Sequence, residues 1–342
     1  MAKLHETYRL RTRERVYARI AAWLRAEARG LEPSFARQVA DYPLRRGKAA
    51  RAALLTLFYG ACGGRDGRAA VDAAAAYEML ESWGIGRDDI LDGALLRRGG
   101  PALHVKYGLP SALNALDYLH VLVFKFILRS RALGAGQRDA LFGLFAEASR
   151  RTLAGQHEDI RSRGLPLERL TEAKCLALAG GKTAYYTVYY PCLAGALLAG
   201  RKEPPALADF AWRIGTAFQL IDDVLDAENE GGGRFGKAVG NDIRERKRTL
   251  VLLRAYRAAS PAERGFLRRL YEDFSAPPRE ADVRRARALM LRLGAPAEAR
   301  RTAEGLAASA LELFERRLAP GLRPREAGIL RGLLGFLTGR DH

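Results

Sequence analysis

The sequence predicts an all-α protein, a single large helical domain spanning residues 1–342. Three observations predict it. Ala and Leu recur at three- and four-residue spacing over most of the chain, and alternating Val/Ile/Thr runs are hard to find. Pro and Gly fall mainly between the periodic segments, as at Gly63-Gly64, Gly99-Gly100-Pro101, Gly134–Gly136, Gly164–Pro166, Pro204-Pro205 and Pro277-Pro278. Apolar residues make up 48% and charged residues 28%, enough to bury a core.

The elements follow in order. Leu10, Val16, Ile20 and Leu24 form an amphipathic stripe, and Ala70–Leu80 forms a second that is dense in Ala. Helical patterning continues through 116–128, 141–153, 170–179, 207–226, 250–256, 283–293 and 303–313. Leu116–Leu128 (LDYLHVLVFKFIL) is apolar on more than one face, which suits a central core helix or a subunit interface; a central core helix is the expectation. No linker is long enough to divide the chain.

Composition narrows the function classes. Three cysteines, Cys62, Cys175 and Cys192, form no C-x-x-C pair, which excludes a disulfide scaffold and a zinc-ribbon site. Residues 1–29 carry Arg throughout and lack the uninterrupted apolar run of a secretory signal, and the longest apolar stretch, 185–200, is short for a membrane span. A cytoplasmic protein that does not span a membrane is expected. The net charge of +18 comes from 57 basic against 39 acidic residues, of which only 9 are Lys. Such a field attracts phosphates of any kind, but no recognised nucleic-acid-binding motif accompanies it, so no nucleic-acid partner is expected.

Two acidic clusters carry the chemistry. Asp-Asp occurs twice, each time with a third Asp three residues on: Asp88-Asp89-Ile90-Leu91-Asp92 and Asp222-Asp223-Val224-Leu225-Asp226. On a helix, residues i and i+4 share a face, so Asp88 aligns with Asp92 and Asp222 with Asp226. Carboxylates so placed repel each other, and at a helix C-terminus the dipole opposes them as well. A hard divalent cation offsets this, and Mg²⁺ favours a few carboxylates plus water and phosphate oxygens. Four of the scarce lysines stand in phosphate-binding company: Lys48 in GKAAR with Arg51, Lys182 before Thr183, Lys237 after Gly236, and Lys247 beyond Asn241-Asp242. Arg97-Arg98 follows the first cluster. Gly-Lys-Thr lacks the upstream glycine of a P-loop, so nucleotide binding is excluded.

In this order, GKAAR (47–51), DDILD (88–92), RRG (97–99), Asp117 in ALDYL, GQHED (155–159), GKT (181–183), FQLIDDVLD (218–226), GK (236–237) and GNDIRERKRTL (240–250) resemble the trans-isoprenyl diphosphate synthase (polyprenyl synthetase) family, in its short-chain farnesyl and geranylgeranyl type. The resemblance implies an isoprenoid-synthase fold, a helical bundle around a deep central cavity, usually a homodimer. It implies a prenyltransferase that condenses an allylic diphosphate with isopentenyl diphosphate through roughly two or three Mg²⁺ ions. Asp88, Asp92 and Asp222 match metal-ligand positions, with Asp226 auxiliary; Asp89 and Asp223 complete the catalytic motifs. Arg97, Lys182, Thr183, Gln219, Lys237 and Lys247 match positions that grip the allylic diphosphate, and Lys48, Arg51 and Arg98 those that hold isopentenyl diphosphate. Lys182, Lys237 and Lys247 would accept the charge that develops on the leaving diphosphate. Gly231-Gly232-Gly233 suits a closing lid or an ordinary loop.

The sequence departs from the family pattern at Glu81, seven residues before the first motif, where His or Gln is usual. A carboxylate facing a diphosphate is unfavourable unless it is protonated, paired with Arg or bridged by a cation. Either Glu81 pairs with an Arg, or the second substrate differs. Cyclisation or prenyl transfer to another acceptor is the alternative function that Glu81 supports. A non-catalytic partner subunit ranks low, because both aspartate clusters are intact. Gly84 and Gly86, flanking Ile85 and preceding Arg87, suggest an irregular turn. Trp83 and Gly84 occupy positions that close the tail pocket in the family, and a bulky Trp83 points to a short product of roughly C15 to C20.

Overall fold

The computed structural model describes residues 2–228, 240–337 and 339. The chain opens with α1 (Ala2–Glu27), α2 (Pro33–Leu44), α3 (Ala50–Ala61) and the 25-residue α4 (Gly67–Leu91). A two-residue hairpin follows, β1 (Leu96–Arg97) against β2 (Gly100–Pro101), with Arg97 opposite Gly100. Next come α5 (Leu103–Tyr107), α6 (Leu109–Arg129), α7 (Ala135–Ser162) and α8 (Glu172–Ala184). α8 runs through a π-turn at Tyr185–Tyr189 into α9 (Tyr190–Leu198), and α10 (Leu207–Glu228) follows. After the described break come α11 (Asn241–Arg244), α12 (Leu250–Ala258), α13 (Pro261–Glu272), α14 (Glu280–Arg292), α15 (Ala295–Leu313) and α16 (Pro324–Leu337). The fold is all-α, as the Ala/Leu periodicity predicts.

Local chemistry sets several of the helix starts. The Thr171 and Thr249 hydroxyls accept the backbone N–H groups of Lys174 and Leu252. Ser260 and Glu263 form a reciprocal capping box on α13. Asp66 caps α4 by accepting the Arg68 N–H at 2.8 Å.

Packing explains where the acidic clusters go. One hydrophobic core gathers around α10, α12 and α15, and a second around α1, α4 and α6. α3 and α9 contribute to both, Leu54 and Cys192 to the first and Leu55 and Ala194 to the second. These two helices therefore join α10 to α4, the helices that bear the aspartates. The three cysteines are buried and free.

Two sequence expectations are corrected here. α4 is unbroken through Gly84 and Gly86, so there is no irregular turn. Gly86 serves close approach instead: a Cβ there would lie 2.4 Å from Leu116 Cδ2 on α6. The segment 116–128 is not a fully enclosed core helix. α6 buries Leu116, Leu119, Val123, Phe126 and Ile127, but leaves Leu113, Val121 and Leu128 exposed, Val121 by 63%. Among the described residues α4 is enclosed nearly all round, buried at every position from Ala73 to Trp83, and the small side chains of Ala73–Ala76 let neighbouring helices approach closely. By length and composition α6 could cross a membrane, yet its inward stripe belongs to the core.

Helix contact at glycine is testable. A Cβ on Gly215 of α10 would lie 2.3 Å from the Ala184 backbone of α8. Gly215→Ala is expected to destabilise the fold by about 1–3 kcal/mol in urea unfolding. Gly143→Ala, at an exposed α7 position with nothing nearby, is expected to stabilise it by about 0.5–1 kcal/mol.

Candidate active site

α4 and α10 deliver the aspartates at their C-terminal ends. Asp88 and Asp89 lie in the last turn of α4, and Asp92 is its C-cap residue. Asp222, Asp223 and Asp226 lie in the last two turns of α10. Lys247, in the segment between α11 and α12, pairs with the first cluster directly and acts on Asp223 and Asp226 of the second through its charge. Its Nζ lies 3.4 Å from Asp92 Oδ2, 3.1 Å from Asp242 Oδ1 and 2.7 Å from Glu245 Oε2. Arg163, just past α7, adds a second cation to Asp92 at 3.0 Å and reaches Asp159 at 3.4 Å. Lys48, exposed on the loop before α3, feels the charge of Asp222.

Each acidic side chain has a distinct setting. Asp226 accepts the N–H groups of Asn241 and Asp242, both at 3.1 Å, and so anchors the start of α11. Burial, then repulsion from Asp242, raises it to about 7. Asp223 is pushed well up by burial and by Asp242. It accepts a hydrogen bond from Gln219 Nε2 at 2.8 Å, and Gln219 Oε1 accepts the Thr183 hydroxyl at 2.5 Å. Burial also brings Glu245 to about 8. Negative charge is thus concentrated here beyond what Lys247 and Arg163 balance. The donors are all oxygens, which fits a hard divalent cation. Among the described residues, no group of three His, Cys, Asp or Glu could hold a metal ion by itself. A cation at this place would complete its shell with water and phosphate oxygens.

The comparisons with known proteins agree with this geometry. The polyprenyl synthetase family model matches residues 33–290. The chain belongs to the polyprenyl synthetase family. It is accordingly a prenyltransferase, and the match reaches well beyond the motif-bearing stretch 47–250. The chain is 31% identical to the geranylgeranyl diphosphate synthase of Sulfolobus acidocaldarius, over 68% of this chain and 70% of that protein. It is 33% identical to the geranylgeranyl diphosphate synthase of Mycobacterium tuberculosis, over 75% of this chain and 72% of that one. In structure it is similar to a Caulobacter crescentus polyprenyl synthase complexed with calcium and isoprenyl diphosphate, with a TM-score of 0.83, 26% identity and 98% of each chain covered.

Within this prenyltransferase, Asp89 departs from its expected catalytic place. It turns inward, its side chain 1% exposed, and accepts the Tyr42 hydroxyl at 2.6 Å and Arg97 Nε at 2.9 Å. Arg97, expected on the allylic diphosphate, pairs with that carboxylate. The pair ties the hairpin β1–β2 to the end of α4. Trp83 stacks on His120 of α6, ring centroids 4.0 Å apart and planes 9° from parallel, and His120 meets the Ser149 hydroxyl of α7 at 3.0 Å. Gly84 faces Tyr186, whose Oη would lie 3.6 Å from a Cβ. Asp117 is largely exposed, 3.6 Å from Arg87. Lys237 and Gly231–Gly233 lie outside the described residues, as does the side chain of Lys182.

Sequence reasoning missed Tyr42, Glu78, His120, Arg163 and Glu245. Only the last had a signal, its place in GNDIRERKRTL. The two aspartates at the end of α4 are expected to behave differently on substitution. Asp89→Asn should lower unfolding stability by about 1.5–3 kcal/mol, because Arg97 loses its buried partner. Asp88→Asn should leave the urea midpoint nearly unchanged while abolishing product formation.

Proposed function

We propose that this prenyltransferase condenses an allylic diphosphate with isopentenyl diphosphate to a short-chain, all-trans prenyl diphosphate of roughly C15 to C20, by ionisation, condensation and elimination. The observation that carries the reading is that Lys247 pairs with Asp92 of the first cluster while its charge acts on Asp223 and Asp226 of the second, so that one cation serves both acidic groups. The short-chain relatives and the calcium–isoprenyl diphosphate complex of the Caulobacter protein add support.

In this reading Asp88, Asp92 and Asp222 hold Mg²⁺, with Asp226 helping through α11. The bound metal neutralises the diphosphate, so that it becomes a competent leaving group. Lys247, Lys182 and Lys237 take up the negative charge that grows on the departing oxygen, and Thr183 and Gln219 orient the group. The apolar interior between α4, α8 and α10 keeps water from the allylic cation. Lys48, Arg51 and Arg98 receive the diphosphate of the second substrate. No protein nucleophile is required. Trp83, held flat by His120, closes the pocket for the growing tail. A second copy of the chain seats on the exposed apolar face of α6, where Leu113, Val121 and Leu128 are exposed and Phe124 meets the exposed Phe142 of α7.

A second reading, in which ionisation is followed by cyclisation or by transfer to another acceptor, rests on Glu81 standing where His or Gln is usual; the pairing of Glu81 with both Arg51 and Arg98 fits the first reading instead.

Incubation with an allylic diphosphate and labelled isopentenyl diphosphate is expected to yield elongated product with Mg²⁺ and none after chelation. Diphosphate release without elongation would select the second reading. Trp83→Ala is expected to lengthen the products by at least one isoprene unit in chromatography of the dephosphorylated alcohols. An unchanged distribution would remove Trp83 as the pocket floor.

A further inference from the structure

Around Glu81 lies a second charged cluster, separate from the aspartates. Glu81 Oε1 accepts Arg51 Nη1 at 2.9 Å and Arg98 Nη2 at 3.3 Å. Both arginines are held in place by other groups. Arg51 Nη2 donates to the Thr187 hydroxyl at 2.9 Å, and its guanidinium lies 5.0 Å from the Tyr186 ring centre. Arg98 is the first residue of the two-residue turn between β1 and β2, with φ +49°. That left-handed conformation is rarely adopted by residues other than glycine. Its guanidinium lies against Gly47, where a Cβ would be 2.6 Å from Nη2. The arginines are therefore preset for an anion, and Arg51 Nε is buried without a hydrogen-bond partner.

A buried carboxylate already fills part of that place. Behind Glu81 lies Glu78, 1% exposed, which accepts the Tyr17 hydroxyl and the Ala52 N–H, both at 3.1 Å. Burial, then the charge of Glu81, raises Glu78 to about 8. Burial would raise Glu81 too, but Arg51 and then Arg98 hold it below its ordinary value. Of the two, Glu78 is the one pushed toward protonation and Glu81 the one held toward ionisation. The charged and titratable groups facing it are Tyr17 from α1, Arg51 from α3, Tyr77 on α4, Arg97 and Arg98 from the hairpin, and Tyr186 from the π-turn. The tyrosines stay neutral, since burial raises all three.

We propose that Glu81 sets the affinity for the second substrate: its carboxylate occupies the anion site of Arg51 and Arg98, and the incoming diphosphate displaces it as the Glu78–Glu81 pair takes up a proton. This rests on the reading that these arginines receive isopentenyl diphosphate. An anion that takes the arginines removes what keeps Glu81 ionised, so binding and protonation favour each other. Binding then strengthens as pH falls, by up to about tenfold per pH unit for one proton. Above about pH 8 the loss of the Glu78 proton adds a second repelling charge and weakens binding further. The allylic diphosphate, held at the aspartates, does not displace Glu81, so whatever Asp226 and Glu245 contribute to its pH dependence stays in Glu81→Gln.

The experiment is steady-state elongation with each substrate varied in turn, for the wild type and Glu81→Gln, between about pH 7 and about pH 9. In the wild type, KM for isopentenyl diphosphate should rise about tenfold or more over that range, while the pH dependence of KM for the allylic substrate should be the same in both proteins. Glu81→Gln should lower the former by about tenfold and flatten its pH dependence. A KM that is unmoved or raised in Glu81→Gln, or that keeps its slope, overturns the proposal. If Glu81→Gln fails to fold, the wild-type profile decides alone: a KM for isopentenyl diphosphate that does not rise over that range overturns it. Absence of elongation in both proteins would instead sink the proposed function itself, while elongation with an unmoved KM would sink only the role of Glu81.

Discussion

Carboxylates brought together out of water must be met by protons, cations or hydrogen-bond donors, and this constraint shapes the interior of the molecule. α4 and α10 carry six aspartates at their C-terminal ends, and Asp242 and Glu245 stand with Asp92 around Lys247. The chain neutralises part of this assembly itself. Arg97 and Tyr42 hold Asp89, Arg163 holds Asp92, and Lys247 stands between Asp92, Asp242 and Glu245. What stays unbalanced is visible in the raised Asp223 and Asp226. A metal-bound diphosphate suits that remainder, because its phosphate oxygens complete the shell of a cation that the carboxylates attract.

The same physics operates with opposite sign at Glu81. There the preset groups are arginines, and a carboxylate of the chain supplies the balancing charge. An anion-binding site with its own internal anion is stable without ligand, and in the proposed role of Glu81 a diphosphate enters by exchange. The two charged centres are joined through α3 and α9, which lend apolar residues to both hydrophobic cores. Close contacts at glycine keep these helices near enough to act as one scaffold. A Cβ on Gly195 of α9 would lie 2.6 Å from the Leu55 carbonyl of α3.

Much of this was legible in the residues alone. Helical periodicity identified the all-α class because burial of an amphipathic stripe is a local pattern. The paired DDxxD runs were legible because i and i+4 spacing fixes a shared face whatever the fold. The inward turn of Asp89 was not: it sits beside Asp88 in the sequence, and only Tyr42 and Arg97, 47 and 8 residues away, separate their roles. Gly86 was read as a break because glycine is weak in an isolated helix, whereas Leu116 across the interface is the reason it is there. The outer face of α6 was equally apolar on paper, and its exposure depends on which neighbours remain to cover it.

The sequence by itself determined the helices, the positions and face-sharing of the aspartates, and the supply of Lys and Arg for phosphate. These follow from short-range periodicity and side-chain chemistry, which do not depend on distant residues. Tertiary structure alone decided that Lys247 pairs with Asp92, that Trp83 lies flat on His120, and that Glu81 rather than solvent faces Arg51 and Arg98. Protonation and pairing in a buried site are set by groups that packing brings from far along the chain, and no local pattern encodes that proximity.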